Sequence, residues 1–358
     1  TYPGFAHYAH MKLQLKDFFK NYGETFTLLG RMNDYGLCLL TGVNMMLFVT
    51  KMYENGVLSR EDTGGLELRT GDIDSYLALL EKIIHRQDIG ALMAEGWHPL
   101  CERLGVNPET DPETECAITK GIDLIVDARS SPGFFGIPST TGRAGFTPPT
   151  GLGSIVHPKA KHTHHGSYFP RYEVSFDYIK RDAELMGVTK EELNRIFTDH
   201  SFNTGRLEKY GGESEYTYNN LGICSSASQF LHHPLRDIPW LAELYSAATG
   251  FEITPRELLR AGERIVNVEK LLNVREGFTR EDDMIPAVYL QNMEIPLQDS
   301  EGDRYLTDWF GRRLTREGIE GMLDSYYEER GWDIQKGVPT KKRLIELGLE
   351  EFAGIVNP

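Results

Sequence analysis

The stretch Arg31-Met32-Asn33-Asp34-Tyr35-Gly36-Leu37-Cys38-Leu39-Leu40-Thr41-Gly42-Val43 decides how the rest of the chain is interpreted. Its core, Asn33 to Cys38, predicts a polar turn that ends in a glycine and a cysteine, with an apolar helix directly after it. Nearly the same six residues recur as Asn219-Asn220-Leu221-Gly222-Ile223-Cys224. The repeat of Asn-x-x-Gly-(Leu/Ile)-Cys indicates two loops that hold one cofactor, carried on a helical scaffold.

Each position of the repeat suits a ligand contact. Asn tolerates turn conformations and offers a donor and acceptors, and Gly lets the backbone approach a ligand closely. A Cys at the start of a helix lies where the positive end of the helix dipole favours a thiolate, which is a soft metal ligand. A single copy is explained as well by a turn and a packed thiol. Two copies, 186 residues apart (224 − 38), indicate a ligand with two similar halves.

Composition narrows the class of protein. The chain has 358 residues, 40% of them hydrophobic and 25% charged, which is typical of a soluble globular protein with two or three domains. The net charge of −15 argues against nucleic acid as a partner. We find no apolar run of the roughly 18 residues that a membrane span needs. Four cysteines do not make a disulfide scaffold, so we expect a reducing, cytoplasmic compartment. Because the chain begins with Thr1, we expect it to be a piece of a longer polypeptide.

Apolar periodicity predicts a mainly α chain. A helix over Met11 to Tyr22 is expected to end at Gly23, and a buried helix is expected over Gly42 to Asn55. Capping boxes are expected at Thr189-Lys-Glu-Glu192 and Thr254-Pro-Arg-Glu257. The start of a Gly-, Pro-, Ser- and Thr-rich segment, residues 130 to 170, marks the boundary between two predicted helical domains, residues 1–130 and 131–358. Each domain carries one copy of the repeated motif.

These stretches resemble the tungsten-containing aldehyde:ferredoxin oxidoreductase family. The resemblance covers most of the chain, including Glu61-Asp-Thr-Gly-Gly-Leu-Glu-Leu-Arg69, Gly262 to Phe278, Asp282-Asp283 and Tyr326 to Thr340. It implies the two helical C-terminal domains of the family, with the N-terminal β-rich domain missing from this chain. It also implies a tungsten bis-pterin cofactor, with Mg between the pterin phosphates, and a 4Fe–4S cluster.

The resemblance assigns roles to the repeated motif. It implies pterin contacts from one set of residues in both loops: Asn33, Leu37, Cys38, Asn219, Ile223 and Cys224. Cys224 corresponds to the family's fourth ligand of the 4Fe–4S cluster, but the upstream cysteines that supply the other three ligands are not in this chain. Both loops begin with Asn where the family often has Asp, which lowers the charge that faces each pterin.

Cys38 separates two branches of the family. Aldehyde oxidoreductases usually have Asp at this position, and no protein atom ligates their tungsten. In the related class II benzoyl-CoA reductases a cysteine thiolate of the protein does. We therefore predict that Cys38 ligates tungsten; the alternatives are a pterin neighbour or a packed thiol.

Further candidates lie in the Gly-, Pro-, Ser- and Thr-rich segment at the start of the second domain. His162, His164 and His165 crowd one stretch of it, and one of them is predicted to donate a proton to the substrate. The same tract could bind zinc or be an ordinary polar surface loop. Arg143 could reach a pterin phosphate, and a surface arginine is the alternative.

The sequence thus favours the active-site subunit of a class II benzoyl-CoA reductase, which reduces benzoyl-CoA to cyclohexa-1,5-diene-1-carbonyl-CoA at low potential. The first alternative is an aldehyde:ferredoxin oxidoreductase, and others are a helical scaffold without a cofactor and a zinc protein. The partners implied are an iron–sulfur electron-transfer subunit or ferredoxin, the N-terminal part of the same protein and a CoA thioester. A homo-oligomer is left open.

Overall fold

The computed structural model describes residues 9–10, 12–15, 18–107, 110, 117–123, 183–192, 195, 204–223, 238–291, 305–306 and 313–356. The chain divides into two compact units. The first is Thr1–Ile125 with Pro286–Val288, and the second is Val126–Ile285 with Tyr289–Pro358. Helices dominate both units, and the strands within the described ranges are two residues long, so the prediction of a mainly α chain is confirmed.

The first unit is a set of helices around one buried helix. Its elements are α1 (Phe18–Asp34), α2 (Leu39–Glu54), α3 (Ile73–Ile84), α4 (Ile89–Met93), α5 (Trp97–Leu104), β1 (Ile118–Thr119) and β2 (Ile122–Asp123). Every residue of α2 from Val43 to Thr50 is buried, as expected of a helix that is apolar on all sides. The core around α2 comes from α1, α3 and α5, with Met32, Leu79 and Trp97 among its members.

One predicted helix boundary in this unit is wrong. Gly23 does not end a helix but lies inside α1. A glycine in a helix interior costs only about 0.5–1 kcal/mol relative to alanine. The burial of Thr25, Leu28 and Leu29 on the following turns offsets that cost, because packing outweighs intrinsic helix propensity.

The second unit is built on a long helix. Its elements are α6 (Thr204–Asn220), α7 (Ile238–Thr249), α8 (Pro255–Arg275), α9 (Arg316–Arg330), β3 (Trp332–Asp333), β4 (Val338–Pro339), α10 (Lys341–Leu347) and α11 (Ala353–Val356). Turns of 3-10 helix lie at Glu281–Asp283 and Glu350–Phe352, and another, Ala287–Leu290, spans the division between the units. α8 contributes Leu258 and Leu259 to a core shared with α7, and Leu271 to a core shared with α10.

Two of the helix starts are closed by capping boxes, as the sequence predicts. Thr254 and Glu257 form a reciprocal capping box at α8, with bonds of 2.9 and 3.2 Å to each other's backbone amides. Thr189 and Glu192 form the same pair at 2.7 and 3.1 Å. The predicted capping boxes are therefore confirmed.

In the part of the chain that the structure describes, no single helix is long and apolar enough to cross a bilayer. Residues 22–34 and α2 meet that criterion together, but across a bend of 116°.

Candidate functional site

The first motif begins inside a helix. α1 continues to Asp34, so Asn33 and Asp34 belong to its last turn rather than to the predicted polar turn. The amide of Gly36 donates to the Asn33 carbonyl at 3.0 Å, and the amide of Leu37 donates to the Met32 carbonyl at 2.9 Å. With Gly36 at a φ of +70°, these paired bonds form a Schellman helix ending.

The second motif repeats this geometry in the other unit. α6 continues to Asn220, so the second predicted turn is also a helix end. The amide of Gly222 donates to the Asn219 carbonyl at 3.1 Å, and the amide of Ile223 donates to the Tyr218 carbonyl at 3.0 Å. Gly222 has a φ of +75°. The two copies therefore share a hydrogen-bond register as well as a sequence.

The glycine of each motif is explained by its backbone. Gly36 and Gly222 occupy the left-handed region, where an L side chain is strained. A Cβ atom added to either glycine would meet no other heavy atom of the described chain within 4 Å. The turns are thus open on that side, and glycine is required by the helix ending whatever binds there.

The motif side chains fall into an outer and an inner set. Asn33, Cys38 and Asn219 are exposed. Leu37 and Ile223 are half-buried, each against the apolar core of its own unit. Exposed amide groups beside a half-buried aliphatic side chain suit a flat ring system with polar edges, since the aliphatic group covers a face and the amides bind an edge.

Cys38 occupies the N-cap position of α2. Its backbone is extended, with φ −65° and ψ 117°, and its side chain makes no capping hydrogen bond. The Gly42 amide donates to the Cys38 carbonyl at 2.9 Å, which closes the first turn of the helix. The thiol is free and exposed. An exposed sulfur at the start of a 16-residue helix fits a soft metal, and the donor set is therefore compatible with tungsten.

Other predicted site residues lie outside the described ranges. These are Arg143, His162, His164, His165 and Cys224. Among the residues that the structure does describe, no group of three or more His, Cys, Asp or Glu side chains could hold a metal ion. Cys101 is buried in the core of the first unit.

A buried carboxylate near the first motif was missed by the sequence reasoning. Asp123 is 1% exposed and accepts hydrogen bonds from Thr41 Oγ1 at 2.5 Å and Asn44 Nδ2 at 2.9 Å, both on α2. It also accepts from Trp97 Nε1 on α5 at 3.0 Å. The stretch Ala117-Ile-Thr-Lys-Gly-Ile-Asp123 offers no clear local signal of this burial, because Thr119 and Lys120 interrupt its apolar residues.

A buried charge cluster near the second motif was also missed. Glu213 lies on α6, six residues before Asn219, and forms an ion pair with the fully buried Arg330 of α9 at 2.9 Å. Lys209 lies between Glu213, at 3.9 Å, and Glu263 of α8, at 3.6 Å. Burial raises the pKa of Glu213 to about 7, against the opposing pull of Arg330 and Lys209.

The pKa of the neighbouring Glu263 moves the other way. Burial alone would raise the pKa of this carboxyl. Lys209, together with the hydrogen bond and charge of Arg343, holds it below its ordinary value. The part of α6 that precedes the second motif therefore packs against α8 and α9 through buried charged side chains.

Comparison of the sequence with known proteins identifies one family and several similar proteins. The sequence model described as "Aldehyde ferredoxin oxidoreductase, domains 2 & 3" matches residues 19–349. The "Aliphatic sulfonate oxidoreductase, WOR-like subunit" of Pyrococcus furiosus is 26% identical over 329 residues, 89% of this chain and 42% of the relative. The tungsten-containing aldehyde ferredoxin oxidoreductase of Pyrococcus abyssi is 24% identical over 328 residues, 89% of this chain and 44% of the relative. The chain therefore spans less than half the length of these relatives.

A solved structure shares the fold. It is the "Active site complex BamBC of Benzoyl Coenzyme A reductase in complex with 1,5 Dienoyl-CoA". The TM-score is 0.64 at 20% sequence identity, over 93% of this chain and 47% of that one.

Proposed function

The chain belongs to the aldehyde ferredoxin oxidoreductase family, and from this premise we propose that it is the helical part of a tungsten bis-pterin oxidoreductase that reduces benzoyl-CoA. The observation that carries the proposal is the repeated Schellman ending at Gly36 and Gly222. A ligand with two equivalent halves is best held by two equivalent loops. The predicted domains 1–130 and 131–358 each supply one of them.

The residues proposed to hold the cofactor are those of the repeat. Asn33 and Asn219 offer exposed amides to the polar edges of the two pterins, while Leu37 and Ile223 cover a ring face. Arg143 is proposed to reach a pterin phosphate, where a Mg ion would also bind. When bound, the tungsten cofactor supplies electrons at low potential.

The two motif cysteines are proposed to have different tasks. Cys38 ligates tungsten through its exposed sulfur. Cys224 ligates a 4Fe–4S cluster, whose remaining ligands would come from another part of the same protein. The protein around them positions the cofactor and excludes water from the reacting groups.

The substrate is proposed from the family resemblance and from one comparison, which agree. The resemblance implies that aldehyde oxidoreductases usually have Asp where this chain has Cys38, and the similar solved complex holds a dienoyl-CoA. Ring reduction needs protons as well as electrons. One of His162, His164 and His165 is proposed to hold the proton near the CoA thioester, because imidazole titrates near neutral pH. Partners would be an iron–sulfur electron-transfer subunit or ferredoxin, in the cytoplasm.

A second candidate is an aldehyde:ferredoxin oxidoreductase, which oxidises an aldehyde to a carboxylate. The relatives from Pyrococcus species favour it, since tungsten-containing aldehyde ferredoxin oxidoreductases are among them. Under this alternative Cys38 is a pterin contact and not a tungsten ligand.

A dye-linked assay on the full-length protein, purified without oxygen, separates the two. Tungsten and pterin are quantified first, and oxidation of cyclohexa-1,5-diene-1-carbonyl-CoA is then compared with oxidation of benzaldehyde. Turnover of the dienoyl-CoA alone supports the proposal, and turnover of the aldehyde alone transfers the protein to the second candidate. A protein without tungsten that turns over neither compound contradicts both.

A further inference from the structure

Asp123 is the last residue of a tight hairpin, and the geometry of this hairpin directs the Asp123 side chain toward α2. β1 and β2 pair antiparallel, with Ile118 opposite Asp123 and Thr119 opposite Ile122. The two connecting residues, Lys120 and Gly121, have φ values of 49° and 74°, as the type I′ hairpin turn requires. This turn fixes the register of the pair, so the direction of the Asp123 side chain is set by the hairpin.

The contacts of Asp123 fall on the first two turns of α2. Thr41 is the third residue after the N-cap Cys38, and Asn44 lies one turn further along the same helix. One carboxylate oxygen accepts from Asn44, and the other accepts from Thr41 and from Trp97. The carboxylate is therefore satisfied by donors on two helices although it is almost fully buried.

We propose that Asp123 is a positioning residue for Cys38: it holds the first turn of α2, and with it the thiol that the proposed function assigns to tungsten. The inference rests on that function for its purpose, but the mechanical link is independent of it. A buried carboxylate must keep its donors, because an unsatisfied charge in the core is costly. Thr41 and Asn44 are thereby fixed, and the Cys38 carbonyl is held through its bond from Gly42.

Threonine at position 41 offers a clean test. In Thr41→Val the hydroxyl that bonds Asp123 is lost with little change in volume, whereas in Thr41→Ser it is kept. Asp123→Asn weakens the same contact from the other side. Trp97→Phe serves as the control, since it removes the donor to Asp123 from α5 and keeps an aromatic ring against Phe48, which lies beyond the first two turns of α2.

Two measurements are made on the full-length protein for each variant. Hydrogen exchange of peptides covering residues 39–48 reports the first turns of α2, where the Gly42 amide bonds the Cys38 carbonyl. We expect exchange to quicken by about tenfold in Thr41→Val and Asp123→Asn and to stay near the wild-type rate in Thr41→Ser and Trp97→Phe. Tungsten per chain is expected to fall in the first pair, as supporting-residue changes commonly cost 10- to 100-fold in metal affinity.

The outcomes separate this inference from the function on which it rests. Unchanged exchange in Thr41→Val and Asp123→Asn overturns the inference, as does equal quickening in Trp97→Phe, which would mark a general loss of stability. Absence of tungsten from the wild-type protein overturns the proposed function, while the exchange measurement still decides whether Asp123 holds the first turn of α2.

Discussion

Gly262 of α8 packs directly against the backbone carbonyl of Glu213 on α6. A Cβ atom at position 262 would overlap that carbonyl and also the hydroxyl of Thr217. Near the start of α6, a Cβ atom added to Gly205 would lie 2.6 Å from the backbone carbonyl carbon of Ser325 on α9. α6, the helix that ends in the second motif, therefore makes close backbone contacts with α8 and α9. At Gly262 and Gly205 these contacts leave no room for a methyl group.

Gly262→Ala should destabilise the protein. The neighbour that must move is backbone and not a flexible side chain, so we expect a cost at or above the upper end of the usual 1–3 kcal/mol for overpacking. Gly321→Ala is the matched control, because Gly321 is exposed on α9 with nothing near its Cβ position. There we expect a gain of about 0.5–1 kcal/mol from helix propensity. Thermal denaturation of both variants measures the contrast, and equal midpoints would contradict the packing.

The raised pKa of Glu213 predicts a pH dependence of stability. The folded-state pKa of about 7 exceeds the ordinary glutamate value of 4.5, so the folded state binds the proton more tightly than the unfolded state. The stability that this proton contributes is full below pH 4.5 and is lost as the pH rises to about 7. Glu213→Gln, which mimics the neutral carboxyl, should therefore gain stability relative to the wild type across that window.

The comparison is made with thermal midpoints of the wild type and Glu213→Gln at several pH values. The ion pair with Arg330 could stabilise the charged carboxylate more than burial destabilises it. In that case Glu213→Gln becomes less stable relative to the wild type as the pH rises, and the predicted sign is wrong. The pKa of Glu263 is lowered, so its own contribution to the pH dependence of stability has the opposite sign.

Asp88 stands in a conformation that suits glycine. Its φ of 48° and ψ of −130° cost a non-glycine residue about 1–3 kcal/mol. Its carboxylate forms an ion pair with Lys82 at 2.6 Å, and partly exposed pairs contribute about 0–1 kcal/mol. Asp88→Gly should thus raise the thermal midpoint. Asp88→Ala loses the ion pair but keeps the backbone strain, so it should lower the thermal midpoint. A lower midpoint in both variants would mean that the ion pair contributes more than the strain costs.

The local features of this protein could be predicted from its sequence, whereas its long-range contacts could not. The family resemblance and the capping box of Thr254 and Glu257 are both confirmed, since short-range patterns encode them. The contact of Asp123 with Thr41 spans 82 positions, and the register of a tight hairpin creates it, so no local pattern could reveal it. The helix over Gly23 was missed for a related reason, because burial of the neighbouring turns outweighs the local cost of glycine.

Gly23→Ala tests that explanation. Gly23 is exposed within α1 and has an ordinary helical backbone with open space at its Cβ position. Alanine should stabilise the protein by about 0.5–1 kcal/mol. Gly36→Ala is the control at the end of the same helix, where the φ of +70° makes alanine unfavourable by about 1–2 kcal/mol. Opposite shifts in the thermal midpoint are expected, and a loss in both variants would argue that Gly23 ends the helix after all.

Cys38→Ser is the variant on which the proposed chemistry depends. A serine hydroxyl is a hard donor and a poor substitute for a thiolate on tungsten. The pterins should stay bound, because Asn33, Asn219 and the aliphatic side chains that are proposed to contact them are unchanged. Turnover should fall by more than the 10- to 100-fold that supporting residues typically cost.

Cys101→Ser is the control, since that thiol is buried in the core and its loss should lower stability but leave the activity of the folded fraction intact. In Cys224→Ser we expect the loss of iron. If Cys38→Ser retains full turnover, Cys38 is not the essential ligand, and the aldehyde oxidoreductase becomes the better explanation of the site.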